Sequence, residues 1–579
     1  MKNIRKYIPI SILLFSIFIG IFFRFYKIGD SPVGIYVDEA SIGFNAYSIL
    51  KTGKDEYGKF MPVMFRSFAT FQSPVYTYLT VPFVYLFGLS SFSTRFLSAL
   101  LGVLSIPLLY LLAKQLTAHV IPGFDPESRK AWMPDQVRHD NLSTKLALIS
   151  AFLLSISPWH IQYSRTAYES NVALFFLLLG SLLFLKSLKK PWLLIFSTIS
   201  LAISFNAYRA EILIVPVLLV VLVFRFYKVI TSNLKLFLIP MILSALVGLL
   251  LIAPTVFILR TPGFQARTTS MNILSPTLQT TWGYLDNTSR LGKIINNPRL
   301  LSVREFISLY TSYFSPRYLF SLGDSGPRKA YPDFGTFLVW QFPFYLFGLY
   351  LLVKEKEHKG LKTFILVLLL VSPIPAALTR DPYSTLRSLP MVIPLTLIIS
   401  FGLSKFLDLT WPYLNKSKYL ILILFIFYSS VRMFISIFYH HDYFRSVYWN
   451  YGWRQALDVV PILDPKLPVL VDNSHGDTYI ELLFLLNYDP VTYQRDNFEV
   501  QNTEYYTNMN RNKTKNVGRF TVKNFQWGID TDHVNQYVIA DNITIGAVQI
   551  KEHNLSIVKE IQFPNGEIAL RILKTAPKK

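Results

Sequence analysis

Long apolar runs alternate with short polar punctuation along most of this chain. The first run follows the basic start MKNIRK and reaches about Phe25. Further runs lie near residues 94–112, 146–160, 170–185, 192–207, 210–224, 235–258, 336–353, 361–378, 388–404 and 419–437. A spanning helix needs roughly 17–25 mostly apolar residues, so the pattern predicts about eleven spans. A secreted leader would end in a small-residue cleavage site. FRFYKIGD stands there instead, so the first helix is expected to be retained.

Segment 74–89 (PVYTYLTVPFVYLFGL) is a further candidate. Loop charge decides whether it crosses. If it does not, the inner loops hold Lys114 to Lys145, Lys186/Lys189/Lys190, Arg225/Lys228/Lys235, Lys354/Lys356/Lys359/Lys362 and Lys405/Lys416/Lys418. The outer turns then hold Arg165 with Glu169, Arg209 with Glu211, and Arg380 and Arg387 with Asp381. Cytoplasmic loops carry the excess of Lys and Arg, so this partition places the N-terminus inside. Segment 74–89 is then a juxtamembrane or re-entrant helix.

Three stretches remain on the outer side. Residues 27–92 form a loop with amphipathic character, since Ala40, Phe44, Tyr47 and Leu50 fall at helical spacing. Residues 260–335 form a second long loop. The polar tail contains strand-like runs, PVLVD (468–472), QYVIA (536–540) and IALRIL (568–573). The expected fold is an all-α polytopic membrane bundle over 1–440 with a small C-terminal α/β extracytoplasmic domain over 441–579, large enough to fold alone. No internal repeat stands out. The inner-loop stretch 119–141 (HVIPGFDPESRKAWMPDQVRHDN) is polar without periodicity. It resembles translated interspersed palindromic repeats of bacterial genomes and is expected to be a tolerated insertion.

Composition agrees with a membrane bundle: 52% of the residues are apolar, 16% charged, and the mean hydropathy is +0.36. A net charge of +22 would suggest nucleic acid in a soluble chain. Here the Lys and Arg sit mostly in loops between apolar runs, with no basic stripe interleaved with aromatics, so no nucleic-acid partner is expected. The absence of cysteine excludes disulfides, thiolate zinc sites and cysteine nucleophiles.

Ionisable residues near a membrane are costly, which makes their placement informative. The sharpest feature is Asp38-Glu39, at the head of an amphipathic stretch. Two adjacent carboxylates there have a plain structural explanation, capping the helix and suiting its dipole. The functional reading makes one of them a base, with Arg165, Arg209 and Arg387 at the same outer membrane edge. Sugar transfer from a phosphate leaving group needs a carboxylate to take the acceptor's proton and cations for the departing charge. Each arginine has its own bland explanation, snorkelling at the interface. The sequence shows no HExxH and no compact His/Asp run, and His440-His441-Asp442 reads as the polar exit of the last helix.

VDEASIGFNAYSIL, SFSTRFLSALLGVLSIPLLYLLAKQL and SPWHIQYSRTAYESNVALFFLLLG, in that order, resemble the GT-C superfamily group of protein O-mannosyltransferases and aminoarabinose transferases. SFNAYRAE, YFSPRYLFSLGDSGPRKAYPDFGTFLVW, PIPAALTRDPYSTLRSLPMVIPL and, in the tail, YFRSVYWNYGWRQAL add to the likeness. The resemblance implies a catalytic base at Asp38 with Glu39 as its partner. It implies an active-site or donor-phosphate role for Arg165, an arginine near the lipid phosphate at Arg387, and a weaker match at Arg209. It also implies no cofactor and no required divalent metal. A central β-trefoil insertion of the kind many protein O-mannosyltransferases carry has no room in 260–335, so the acceptor does not carry over.

The expected function is inverting transfer of a sugar from a polyprenyl-phosphate donor to a hydroxyl or amine of an unidentified glycan, lipid or protein. The expected place is the outer face of a bacterial-type plasma membrane. The rival reading, a transporter or lipid flippase, calls for inverted repeats and mid-membrane charges, neither of which stands out.

Overall fold

The computed structural model describes residues 2–68, 70–117, 134–262, 265, 273, 289, 294, 297–409, 416–508, 512–532 and 534–575. The apolar runs are helical, because a backbone in hydrocarbon must satisfy its hydrogen bonds within its own segment. In chain order the first ten helices are α1 (Lys2–Phe25), α2 (Val37–Thr52), α3 (Pro74–Phe87), α4 (Ser91–Thr117), α5 (Pro134–Ser155), α6 (Pro158–Ser164), α7 (Glu169–Ser187), α8 (Leu193–Ala207), α9 (Glu211–Ser232) and α10 (Leu234–Leu259). Most of the stretch expected to be an insertion lies outside the described residues. Its end, from Pro134, belongs to α5.

Among the described residues, eight segments are long and apolar enough to cross a membrane. They lie in α1, α4, α7, α9, α10, Lys359–Leu378, Leu389–Asp408 and Ser417–Trp449. A ninth, Ser143–Ser155 with Pro158–Ser164, is bent by 58° at its break. The chain is an integral membrane protein. Length alone does not reach the expected eleven, for α8 has 15 residues and the helix Phe342–Lys354 has 13. At about 1.5 Å per residue they rise roughly 20 Å, short of a hydrocarbon core of about 30 Å. Helix α3, with 14 residues, is equally short.

The chain divides into two compact units. The first comprises Met1–Tyr26, Ser98–Leu259 and Gln265–Phe434. Lipid offers apolar side chains no advantage in leaving it, so its helices associate through small residues and hydroxyls. Gly180 of α7 lies against Leu201 of α8, and Ser197 and Ser204 donate to the carbonyls of Gly180 and Ala173 at 2.8 and 2.9 Å. Gly348 and Gly402 face backbone carbonyls of Ile398 and Phe344, bringing Phe342–Lys354 against Val392–Asp408.

The second unit comprises Lys27–Leu97, Arg260–Phe264 and Ile435–Lys579. A hairpin pairs β1 (Phe65–Ser67) with β2 (Thr70–Gln72). The six-stranded sheet uses β3 (Val469–Asp472), β4 (Lys515–Val517), β5 (Phe520–Lys523), β6 (Tyr537–Asp541), β7 (Ser556–Gln562) and β8 (Ile568–Lys574). Its order is β4-β5-β3-β6-β8-β7, with β3 parallel to both β5 and β6. The strand-like runs of the tail are β3, β6 and β8. Helix α2 departs from the amphipathic expectation, being buried on all sides from Glu39 to Ala46. Its Ala40 and Phe44 share one core with Val469, Tyr479, Leu483 and Ile572. Gly43 makes this possible, since a Cβ there would lie 2.4 Å from the Phe484 ring.

Behind α2 lies a buried polar network. Asn45 donates to Glu56 Oε1 at 3.3 Å and accepts from the Glu56 N–H at 2.9 Å. Asp55 accepts the Tyr505 hydroxyl and the N–H groups of Tyr57 and Lys59. Lys515 pairs with Glu499, which Arg66 approaches at 3.7 Å. Burial pushes Asp55 up from 3.8 to about 6 and Glu56 from 4.5 to about 8, where the Asp55 charge adds to the effect. Both carboxyls therefore bind protons more tightly folded than unfolded. The stability this confers is full below about pH 4 and is lost as pH rises through about 6 and then about 8. Thermal unfolding of the detergent-solubilised chain should show a lower midpoint at pH 8.5 than at pH 6. Glu56→Gln, which keeps the bond from Asn45, should raise the pH 8.5 midpoint and flatten the profile. An unchanged profile in that variant would mean that Glu56 does not titrate in this range.

Candidate functional site

The segment before α2 is shaped by its backbone. Gly34 has φ +88°, and a Cβ on it would lie 2.2 Å from the carbonyl oxygen of Trp449, so only glycine fits. Asp442 accepts from the Ser31 hydroxyl at 3.1 Å and the Val33 N–H at 3.2 Å, tying the segment down. Asp442, on the short helix His441–Arg445, thus has a structural task. Tyr36 enters α2 in an extended conformation without a side-chain cap, leaving Asp38 and Glu39 as the acidic first turn.

Glu39 is buried at 3% exposure and meets Arg95, buried at 0%, near the start of α4. Arg95 Nη2 donates to Glu39 Oε2 at 2.8 Å, and Nε lies 3.2 and 3.3 Å from the two carboxylate oxygens. The remaining N–H groups reach the carbonyls of Ile28 at 3.2 Å, Pro32 at 2.9 Å and Gly34 at 2.8 Å. A guanidinium has five N–H donors, and every one of them has an acceptor on this loop. Its central carbon lies over the Trp449 ring, 5.7 Å from the centroid. Successive helical residues diverge by about 100°, so fixing Glu39 on Arg95 also fixes the direction in which Asp38 leaves the helix. Asp38 stays partly exposed.

The three arginines singled out in the sequence belong to the first unit, and the two carboxylates to the second. Arg165 follows α6 and is buried at 1% exposure. Its Nη1 donates to the carbonyls of Phe23 and Tyr26, both at 2.9 Å. Arg24 does the reverse. It donates from α1 to the carbonyls of Leu154 and Ser155 at 3.0 Å and contacts His160 Nδ1 at 2.7 Å. Arg165 thus binds carbonyls at the end of α1, and Arg24 binds carbonyls at the end of α5, where the helix dipole also favours a cation. Burial in place of snorkelling is the result.

Arg387 pairs with Asp381, which Lys329 approaches at 3.8 Å. Asp324 accepts from the N–H and hydroxyl of Thr385 at 2.6 and 2.7 Å and from the Gly326 N–H, and burial raises its carboxyl above the ordinary range. Thr385 also joins this loop to α6. Its carbonyl accepts from Trp159 Nε1 at 3.0 Å, and its hydroxyl lies 2.5 Å from that of Tyr163. The structure therefore brings the helix before Arg165 and the loop of Arg387 together. Arg209 sits, partly exposed, in the turn from Tyr208 to Glu211 that opens α9.

Arg24 and Arg95 do not stand out in a search of the outer loops. The signal that finds them is an arginine within an apolar helix, where an ionisable group is costly unless fully partnered. Asp324 and Lys329 carried no such signal.

Residues 14–121 match the family described as dolichyl-phosphate-mannose-protein mannosyltransferase. No curated protein matches the chain. Among solved structures, the Archaeoglobus fulgidus oligosaccharyltransferase tethered with an acceptor peptide is 13% identical, with a TM-score of 0.49 over 100% of this chain and 75% of that one. ArnT from Cupriavidus metallidurans bound to undecaprenyl phosphate is also 13% identical, with a TM-score of 0.48 over 99% of each chain. At these scores the likeness stays general. Over residues 14–121, which hold Asp38, Glu39 and Arg95, the chain resembles the dolichyl-phosphate-mannose-protein mannosyltransferases, and the resemblance its motifs carry to the protein O-mannosyltransferase group of the GT-C superfamily is borne out there.

Proposed function

We propose that this protein is a membrane glycosyltransferase that moves a sugar, with inversion, from a polyprenyl-phosphate donor to a hydroxyl or amine acceptor. The observation that carries the reading is the Arg95–Glu39 clamp, which fixes a partly exposed Asp38 inside the segment matched to the mannosyltransferase family. Asp38 acts as the general base, taking the acceptor's proton as the acceptor attacks the anomeric carbon and the phosphate leaves with the bonding electrons. Glu39, occupied by Arg95, is a positioning residue. Inversion follows from a single displacement without a glycosyl-enzyme intermediate. The matched family's dolichyl-phosphate-mannose is the model for a lipid-phosphate donor.

Arg387 and Lys329 both face the carboxylate of Asp381, and they are assigned to the donor phosphate. Arg209 is assigned to the same task. Arg165 serves by locking the ends of α1 and α6. A divalent cation is not required in this scheme, because Arg95 holds one carboxylate of the Asp38-Glu39 pair. The site and the C-terminal domain are assigned to the outer face by the distribution of basic loops.

Transfer of labelled sugar from a polyprenyl-phosphate donor, measured in membranes well below the unfolding temperature, tests the assignment. Asp38→Asn should lower kcat by about 10²–10⁴-fold with the chain still inserted. Near-normal transfer by that variant would remove Asp38 from the mechanism. Glu39→Gln should keep measurable turnover, and activity in chelator should persist; rescue of a lost activity by manganese would make the Asp38-Glu39 pair a metal site instead.

Arg387→Ala and Lys329→Ala should raise the KM for donor as well as lower kcat, since phosphate is charged in both ground and transition states. An unchanged donor KM in both would place the phosphate elsewhere. Reporter fusions at Lys130 and Asn502 should report the cytoplasmic and the outer side respectively, and a cytoplasmic signal at Asn502 would invert the topology.

A further inference from the structure

The parallel part of the sheet has the order β5-β3-β6. The chain leaves β3, returns as β5 on one side, then crosses to β6 on the other. Where successive connections depart in opposite directions, an open α/β sheet has a crevice at the carboxyl ends of the two strands, and ligands bind there. β3 ends at Asp472 and β6 ends at Asp541. Strand topology therefore places one carboxylate at each lip of the crevice, and the loop after β3 adds His475.

Ligand atoms of Asp472, His475 and Asp541 lie within 4.8 Å of one another. Each aspartate takes loop N–H groups on Oδ1 and has its Oδ2 on the His475 side, against the imidazole or the Thr544 hydroxyl beside it. Asp472 Oδ1 accepts from the Ser474 N–H and hydroxyl and from the Phe525 N–H, at 3.1, 2.6 and 3.0 Å. Asp541 Oδ1 accepts from the N–H groups of Ile543 and Thr544, at 3.0 and 2.7 Å. Asp541 Oδ2 lies 2.9 Å from His475 Nδ1. Asp472 Oδ2 takes the Thr544 hydroxyl at 2.6 Å, and that hydroxyl is 3.2 Å from His475 Nδ1.

We propose that Asp472, His475 and Asp541 form a divalent-cation site at the carboxyl end of the sheet. One imidazole nitrogen and two carboxylate oxygens suit zinc or manganese, whose bonds to such atoms run about 2.0–2.2 Å. Two neighbouring ligands on one such ion lie about 3 Å apart, the separation already present between His475 Nδ1 and Asp541 Oδ2. Asp472 is buried while the His475 side chain is 47% exposed, so the site is open on the histidine side to water or a further ligand. The donors come from two strand ends and a loop far apart in sequence. Glu355, Glu357 and His358 also cluster, but they form one local turn in which Glu355 accepts from the N–H groups of the other two. That turn explains itself without an ion.

The proposal is independent of the transferase reading. Full-length protein in detergent, stripped with chelator, is titrated with Zn²⁺ alone by calorimetry. One equivalent should bind per chain and raise the thermal midpoint. His475→Ala and Asp541→Asn should each weaken that binding by at least about 10-fold, while His358→Ala should bind as the parent does. Asp541→Asn keeps an oxygen for the two loop N–H groups, so its metal-free melting should match the parent and separate lost binding from lost fold. Absence of saturable Zn²⁺ and Mn²⁺ binding in the parent would overturn the proposal, leaving a His475–Asp541 hydrogen bond. Binding undiminished in both variants would overturn it equally.

Discussion

The second unit depends on Arg95. An arginine buried at 0% exposure would cost several kcal/mol if left without partners, and the surrounding chain is arranged so that none of its donors is idle. The carbonyls of Ile28, Pro32 and Gly34 and both oxygens of Glu39 converge on one guanidinium. This is a geometric constraint as much as an energetic one. A planar fork with fixed donor directions dictates where four separate residues lie, which a lysine in the same place would not do. The loop before α2, the direction of α2 and the orientation of its first turn follow from that one side chain.

Arg24 and Arg165 apply the same chemistry in the first unit. A helix that ends near other protein leaves carbonyls that water cannot reach, and a guanidinium bound to them answers both that deficit and the partial negative charge of the helix end. Together Arg24 and Arg165 tie the end of α1 to the end of α5 and to the residue that closes α6. Arginines at a helix end thus have two different uses in one membrane protein. Arg165 is spent on carbonyls, while Arg387 faces a carboxylate shared with Lys329.

Much of the architecture was legible in the sequence, because its signals are local. Apolar run length marks the helices, and PVLVD, QYVIA and IALRIL mark β3, β6 and β8. What was not legible depends on partners far along the chain. Ala40, Phe44 and Tyr47 read as one face of an amphipathic helix, yet the polar positions between them, Ser41 and Asn45, are buried too. Their partners are local or sit in other segments, as with Glu56 for Asn45, and no periodicity reveals those. Residues 192–207 and 336–353 are apolar enough to read as spans, but their helices run only Leu193–Ala207 and Phe342–Lys354, so length alone does not reach eleven. The Asp38-Glu39 pair was visible as a motif, whereas the pairing of Glu39 with Arg95 was not. Asp472, His475 and Asp541 were invisible as a set, since two of them are joined only by the pairing of β3 with β6.

Helix α2 could not be stable by itself. It is 16 residues long, near the length at which isolated helices are marginal in water, and it carries glycine, asparagine and two serines within its buried stretch. Its order comes from the core it shares with the sheet, where Phe44 meets the edge of Tyr493 at 6.1 Å and Gly43 admits the Phe484 ring. The C-terminal domain therefore does more than follow the membrane region in sequence. It supplies the packing that a weak helix former needs to stay ordered, on a helix whose first turn the Arg95 clamp also holds. A first turn built only from its own propensity would fray, and a fraying turn would not hold the Asp38 carboxylate in one direction.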